Sequence, residues 1–170
     1  MTTIAYRDGI MAADSRTTVD SEAGGSRHFR CEKLYAVKGK TGHAVAIVGL
    51  AGESAPGLVF LDWYRSGAKT GDARLLDGEA DFTALVLTRK GLFEYDKWCR
   101  GERVQERFYA IGSGAKAALG AMHMGADARK AVMVACRVDP FSAPPIVTMA
   151  IGKAPVPPSD DAPDRPMAAR

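Results

Sequence analysis

A threonine at the second position and an aspartate at the fourteenth are the first residues whose types could do chemistry together. Cutting away Met1 would leave Thr2 as the chain end, with a hydroxyl and an α-amine on one residue. Such an amine titrates at about 7.7–8.0, so a useful fraction is neutral near pH 7 and can take the hydroxyl proton. A threonine hydroxyl alone is too weak an acid to attack an amide. Met1 precedes a small residue, the context in which an initiator methionine is removed, so the expected nucleophile needs no propeptide.

Something must bring the two residues together. Thr2 to Tyr6 reads as a strand, with β-branched and aromatic residues and no breaker. Arg7-Asp8-Gly9 is a turn, because Asp-Gly tolerates the positive φ of tight hairpins. Ile10 to Ala13 returns as a short apolar strand, and a hairpin of this size sets Asp14 beside Thr2. Taken singly, a strand-opening Thr2 and a turn or capping Asp14 are the commoner fates of such residues.

TTIAYRDGIMAADSR (2–16) resembles the opening of proteasome β subunits and of the bacterial HslV protease, the threonine branch of the N-terminal-nucleophile hydrolases. CEKLYAV (31–37) resembles the segment that carries the active-site lysine, and LAGESA (50–55) the family's Ala-Gly turn. YAIGSGAKAALGAM (109–122) is similar to the stretch opening the third helix, and VDPFSAPP (138–145) to the Asp-x-x-Ser loop. Five segments in order, spread from residue 2 to residue 145, carry the resemblance, and their spacing looks closest to the short proteasome homologues of betaproteobacterial type.

The resemblance implies roles. Lys33 takes the position of the catalytic lysine, whose ammonium eases proton loss from the Thr2 hydroxyl and keeps the amine unprotonated, with Asp14 pairing to it. A lone lysine in a strand is more often a solvated side chain. The interval from Asp14 to Lys33 is 19 residues, longer than usual in the family, and the first hairpin is shorter. Shortening both strands equally preserves register and facing, so the pairing is expected to survive. Gly52 corresponds to the backbone donor that stabilises an oxyanion, although a plain helix-start glycine reads the same way. Ser113, Asp139 and Ser142 correspond to residues that hold the threonine amine and its water. Alternatively, Ser113 is a natural N-cap, and the Asp139–Ser142 pair could simply satisfy loop backbone. By position, Thr17, Cys31, Tyr35, Leu50 and Ser54 form the specificity pocket, a mixed and mostly uncharged set expected to favour apolar side chains.

Composition narrows the class. The chain of 170 residues suits one domain, and apolar residues at 46% with charged ones at 25% fit a soluble globular protein. A net charge of +3 is too mild to argue for nucleic acid or an anionic membrane as partner, and neither is expected. No apolar run reaches the roughly 18 residues of a membrane span, and no signal segment opens the chain. Cys31, Cys99 and Cys136 are odd in number and widely spaced, which suits free thiols in a reducing cytoplasm. GSGAKAALG lacks the ending of a phosphate loop, and His28, His43 and His123 share no ligand spacing, so neither metal nor cofactor is expected.

Beyond the first hairpin, residues 15–31 read as a polar loop, 33–37 and 43–49 as strands, and 52–64 as a helix. Residues 66–80 leave room for no more than a helical stub where the family places a full helix. Strands are expected at 82–88, 92–97, 108–111 and 146–151, and helices at 113–124 and 126–138. The Pro-rich tail, 153–170, is expected to be disordered, leaving residues 1–152 as the domain. Pattern alone supports an α+β fold; the resemblance implies the four-layer αββα sandwich. It also implies a cytoplasmic threonine endopeptidase acting on peptides or unfolded proteins. The expected assembly is a double ring of identical subunits, seven-fold favoured over six-fold, with an ATPase unfoldase as candidate partner. A non-catalytic ring scaffold and a small-molecule amidase of the same fold are the alternatives.

Overall fold

The computed structural model describes residues 2–20, 24–68, 81–151 and 156–159. In chain order the elements are β1 (Thr3–Arg7), β2 (Ile10–Ala13), β3 (Arg16–Asp20), β4 (Ser26–Arg30), β5 (Leu34–Lys38) and β6 (Ala44–Gly52). Helix α1 (Ser54–Arg65) leads to β7 (Phe82–Thr88), β8 (Gly91–Tyr95), β9 (Gly101–Val104) and β10 (Phe108–Gly112). Helices α2 (Ala115–His123) and α3 (Ala128–Val138) precede β11 (Ile146–Ala150) and β12 (Val156–Ser159).

Two five-stranded sheets carry the fold, in the orders β10-β1-β2-β11-β12 and β5-β6-β7-β8-β9. The period of two along each strand sorts side chains into layers. From β1 and β2, Ile4, Met11 and Ala13 meet Ile47, Leu85 and Leu87 of the facing sheet in a core between the sheets. The alternate residues, Ala5 and Ala12, face outward against Ala118, Met122, Val132 and Ala135 of α2 and α3. On the other flank Val48, Ala84 and Val86 turn to Phe60, Leu61 and Trp63 of α1. The result is helix, sheet, sheet, helix: the αββα sandwich. A Cβ on Gly49 would fall 2.8 Å from Met11 Cε and 3.1 Å from Ile4 Cδ1 and Leu34 Cδ2, so a side chain there would displace these tips in the core between the sheets.

The first hairpin forms where expected. Asp8 (φ +48°) and Gly9 (φ +84°) both lie in the left-handed region, as a two-residue turn matching strand twist requires. Ile4 pairs with Ala13, and Asp14 N–H donates to Thr3 O at 3.2 Å just past the ladder. Other boundaries differ. Residues 15–31, expected as a loop, contain the β3–β4 hairpin, which forms a separate two-stranded sheet. Strand β9 was not foreseen, and α1 starts at Ser54 because β6 runs on to Gly52. In the segment 153–170, expected to be disordered, Val156–Ser159 instead pairs with β11 at the sheet edge, and the register shifts between Ile146 and Thr148, opposite the adjacent Pro157 and Pro158 that lack donors. The expected stub at 66–80 falls almost wholly outside the described residues, with α1 ending at Arg65.

Candidate active site

The site lies where β1, β2, β5 and β6 end together. Asp14 is closed to solvent and its two oxygens take four hydrogen bonds. Oδ1 accepts from Thr3 N–H at 2.8 Å and from Lys33 Nζ at 2.8 Å. Oδ2 accepts from Arg16 N–H at 2.9 Å and from Ala143 N–H at 3.1 Å. Each oxygen is thus satisfied by groups from different stretches of chain, which a buried carboxylate requires. Lys33 also donates to Arg16 O, and its own carbonyl accepts from Leu50 N–H at 3.0 Å, tying it to β6. Lys33 is therefore not the solvated strand lysine that its type alone suggests.

Thr2 is buried and lines a cleft of about 880 Å³ that also contains Lys33 and Gly52. Thr17, Cys31, Tyr35, Leu50 and Ser54 all line the same cleft. Thr17 Oγ1 and Cys31 Sγ are hydrogen-bonded at 2.6 Å across the β3–β4 hairpin, and Tyr35 OH donates to Glu32 O at 2.7 Å. Burial, then the neighbouring Cys31 and Glu32, push the Tyr35 phenol above its usual pKa, so it stays a neutral donor.

Gly52 sits at the cleft between β6 and α1 with φ +94°. A Cβ there would collide with the Asp81 carbonyl and sit 2.7 Å from Phe82 Cα, so glycine is required both by conformation and by space.

The remaining three predicted residues form one network behind Thr2. Asp139 Oδ2 accepts from Ser113 Oγ at 2.7 Å and from Ser142 Oγ at 2.6 Å, and Oδ1 accepts from Phe141 N–H at 3.2 Å. Desolvation raises the Asp139 pKa, but the bonds from Ser142, Ser113 and Phe141 outweigh it and hold the carboxyl below its ordinary 3.8. Ser113 lies 3.4 Å from Thr2 O. It does not cap α2, whose N-cap is Gly114; Ser113 instead belongs to the turn Gly112-Ser113-Gly114, pressed against the first residues of the chain. At Gly112 (φ +92°) a Cβ would strike the Thr2 carbonyl.

Sequence reasoning missed part of the site. Glu32, Glu53 and Asp81, from three separate segments, join the cleft that was expected to be mostly uncharged. Thr3 was passed over although its backbone and hydroxyl bond both halves of the site. Its position beside Thr2 in an alternating strand was the available signal. A depression of about 940 Å³ elsewhere, at the β8–β9 hairpin, is lined by Glu94, Trp98, Arg103 and Tyr109 and brings none of the predicted site residues together. Among the described residues, no helix is long and apolar enough to cross a membrane.

This helix–sheet–sheet–helix architecture is also the fold of solved HslV structures. No protein-family model matches the chain, and no curated protein matches its sequence. Solved structures do match. The chain is similar to eukaryotic HslV from Trypanosoma brucei at 17% identity, with a TM-score of 0.61 over 87% of this chain and 97% of that one. It is likewise similar to Thiobacillus denitrificans BPH in complex with epoxomicin, at 21% identity and a TM-score of 0.58, covering 89% of this chain and 99% of the other. A second structure of Thiobacillus denitrificans BPH gives 21% identity and a TM-score of 0.57, covering 90% of this chain and 99% of the other. At these identities the likeness establishes the fold.

Proposed function

We propose that the chain is a threonine-type endopeptidase in which Thr2, freed of Met1, is the nucleophile. The observation that carries this reading is that Thr2 and Lys33 share one cleft while the Lys33 ammonium is anchored on buried Asp14 at 2.8 Å. The Thr2 hydroxyl attacks a substrate carbonyl carbon, and its proton passes to the α-amine through a water. The developing oxyanion is met by the Gly52 N–H at the mouth of α1. Collapse breaks the C–N bond, the departing amine takes the proton, and an ester on Thr2 remains. Water then attacks the ester, with the amine accepting its proton, and the acid product leaves with the Thr2 hydroxyl restored. Asp139, Ser113 and Ser142 hold the amine and its water, and Thr17, Cys31, Tyr35, Leu50 and Ser54 receive the substrate side chain.

The same reading makes the protein a cytoplasmic, self-compartmentalising assembly of two stacked rings, seven-fold favoured, that degrades peptides or unfolded proteins. An ATPase unfoldase is its candidate partner. The fold shared with HslV and BPH supports this reading, as does the match of the cleft to the expected pocket set. The test is mass spectrometry of the purified protein after incubation with epoxomicin. The expected result is loss of Met1, one adduct on Thr2, and no peptide hydrolysis by Thr2→Ala. An unlabelled protein whose hydrolysis survives Thr2→Ala overturns the mechanism.

A further inference from the structure

Thr2 has a neighbour whose side chain takes the opposite side of β1. Thr2 lines the cleft, whereas Thr3 is fully buried and its Oγ1 lies against Gly114, where a Cβ would collide with it. Thr3 Oγ1 and Ser142 Oγ are 2.6 Å apart.

Counting protons fixes the direction of that bond. Asp139 is held ionised, so it only accepts, and both Ser113 and Ser142 direct their hydroxyls to its Oδ2. Each serine has one proton, so the Ser142 proton is committed to Asp139. The bond between Ser142 and Thr3 must then run from the Thr3 hydroxyl to the Ser142 oxygen. The chain is one-way: Thr3 O–H to Ser142, Ser142 O–H to Asp139. From its other side, the Thr3 N–H donates to the oxygen of Asp14 that holds Lys33.

The geometry points to Thr3 as a positioning residue for the proposed peptidase, on which this inference rests. Its hydroxyl clamps the Asp139–Ser142 network to the strand that carries the nucleophile, while its amide clamps that strand to the Asp14–Lys33 pair. Two half-sites built from distant stretches of chain are held in register by one residue that touches no substrate. An alignment error of about 1 Å at a reacting group can cost on the order of a hundredfold in rate, so a lost clamp acts on turnover rather than on binding.

The experiment compares Thr3→Val, which keeps the shape and removes the donor, with Thr3→Ser, which keeps the donor. The readouts are kcat and KM on a fluorogenic peptide, the rate of covalent labelling by epoxomicin, and a thermal melt. Thr3→Val is expected to lose about tenfold in kcat and in labelling rate with KM within about twofold, and Thr3→Ser to retain both rates within about threefold. Thr3→Val with wild-type kcat, or Thr3→Ser as impaired as Thr3→Val, overturns the positioning role. Ser142→Ala removes the acceptor and leaves residue 3 intact, so it keeps the question open to test should Thr3→Val fail to fold. It is expected to slow the same step, and a Ser142→Ala enzyme with wild-type kcat overturns the link. A wild-type protein that neither hydrolyses peptides nor takes up the label overturns the peptidase reading itself, a result distinct from the others.

Discussion

Lys33 Nζ lies 2.8 Å from Asp14 Oδ1, with the two side chains 3% and 0% exposed. A pair so thoroughly closed to water is costly to break from one side, because the surviving charge stays buried without its partner; such losses run at about 3–5 kcal/mol. Asp14→Ala removes the anion under a buried ammonium, whereas Lys33→Met leaves a carboxylate that still accepts from the amides of Thr3, Arg16 and Ala143. Asp14→Ala is therefore expected to be the more destabilising of the two in urea denaturation, and both are expected to abolish the proposed peptide hydrolysis. Equal losses of stability would contradict this distribution of donors.

Gly52→Ala forces a side chain into a left-handed backbone at φ +94° and against the Asp81 carbonyl. A left-handed residue with a Cβ costs roughly 1–2 kcal/mol before any overlap is counted. The turn then has to shift, carrying the Gly52 N–H with it. The expected outcome is a lower melting temperature together with a fall in kcat of about 10²–10³, the scale of one lost oxyanion donor.

The Asp139 carboxyl, held below its ordinary 3.8, sets an acid limb. A carboxyl with a depressed folded pKa contributes stability that is present above its unfolded pKa and is lost as pH falls through the folded value. Removing one of its donors with Ser142→Ala or Ser113→Ala raises the folded pKa toward 3.8 and shrinks that contribution. Unfolding measured from pH 6 down to pH 2, about the carboxylate titration range, is expected to show the gap between wild type and either variant widest at the upper end and closing toward acid.

Glu32, Glu53 and Asp81 put three carboxylates at the cleft where Lys33 is neutralised by Asp14. Peptides with Lys or Arg near the scissile bond should be cleaved faster than their Glu counterparts. Exposed pairs contribute about 0.2–1 kcal/mol each, so each carboxylate supplies up to about fivefold, less at high salt. The measurement is the ratio of kcat/KM for basic over acidic peptides in wild type and in Glu53→Gln and Asp81→Asn, at low and high salt. A ratio near one that salt does not move would refute the charge argument.

The first hairpin was legible because its signal is local: an Asp-Gly turn between two short apolar strands, which delivers Asp14 to the start of the chain with no tertiary information. Lys33 carried no such mark, since a lysine opening a strand reads as solvated, and only the likeness of CEKLYAV to a known segment singled it out. The β3–β4 hairpin was missed because every residue of Ser26–Arg30 is exposed, so no alternation of apolar and polar residues exists to be read. Gly101–Val104 gave little more signal, being a sheet-edge strand in which only Val104 is part-buried and the preceding Gly, Glu and Arg are exposed. The acidic residues of the cleft come from three segments far apart in sequence, and only the packing of β5, β6 and β7 brings them together.

The carboxylate of residue 14 is a staple at which three stretches of backbone, near residues 3, 16 and 143, meet one lysine. Closing the sandwich and assembling this cluster are consequently a single event. A chain refolding from denaturant should regain catalytic competence in step with its tertiary structure, with no dormant folded species waiting for the site to assemble.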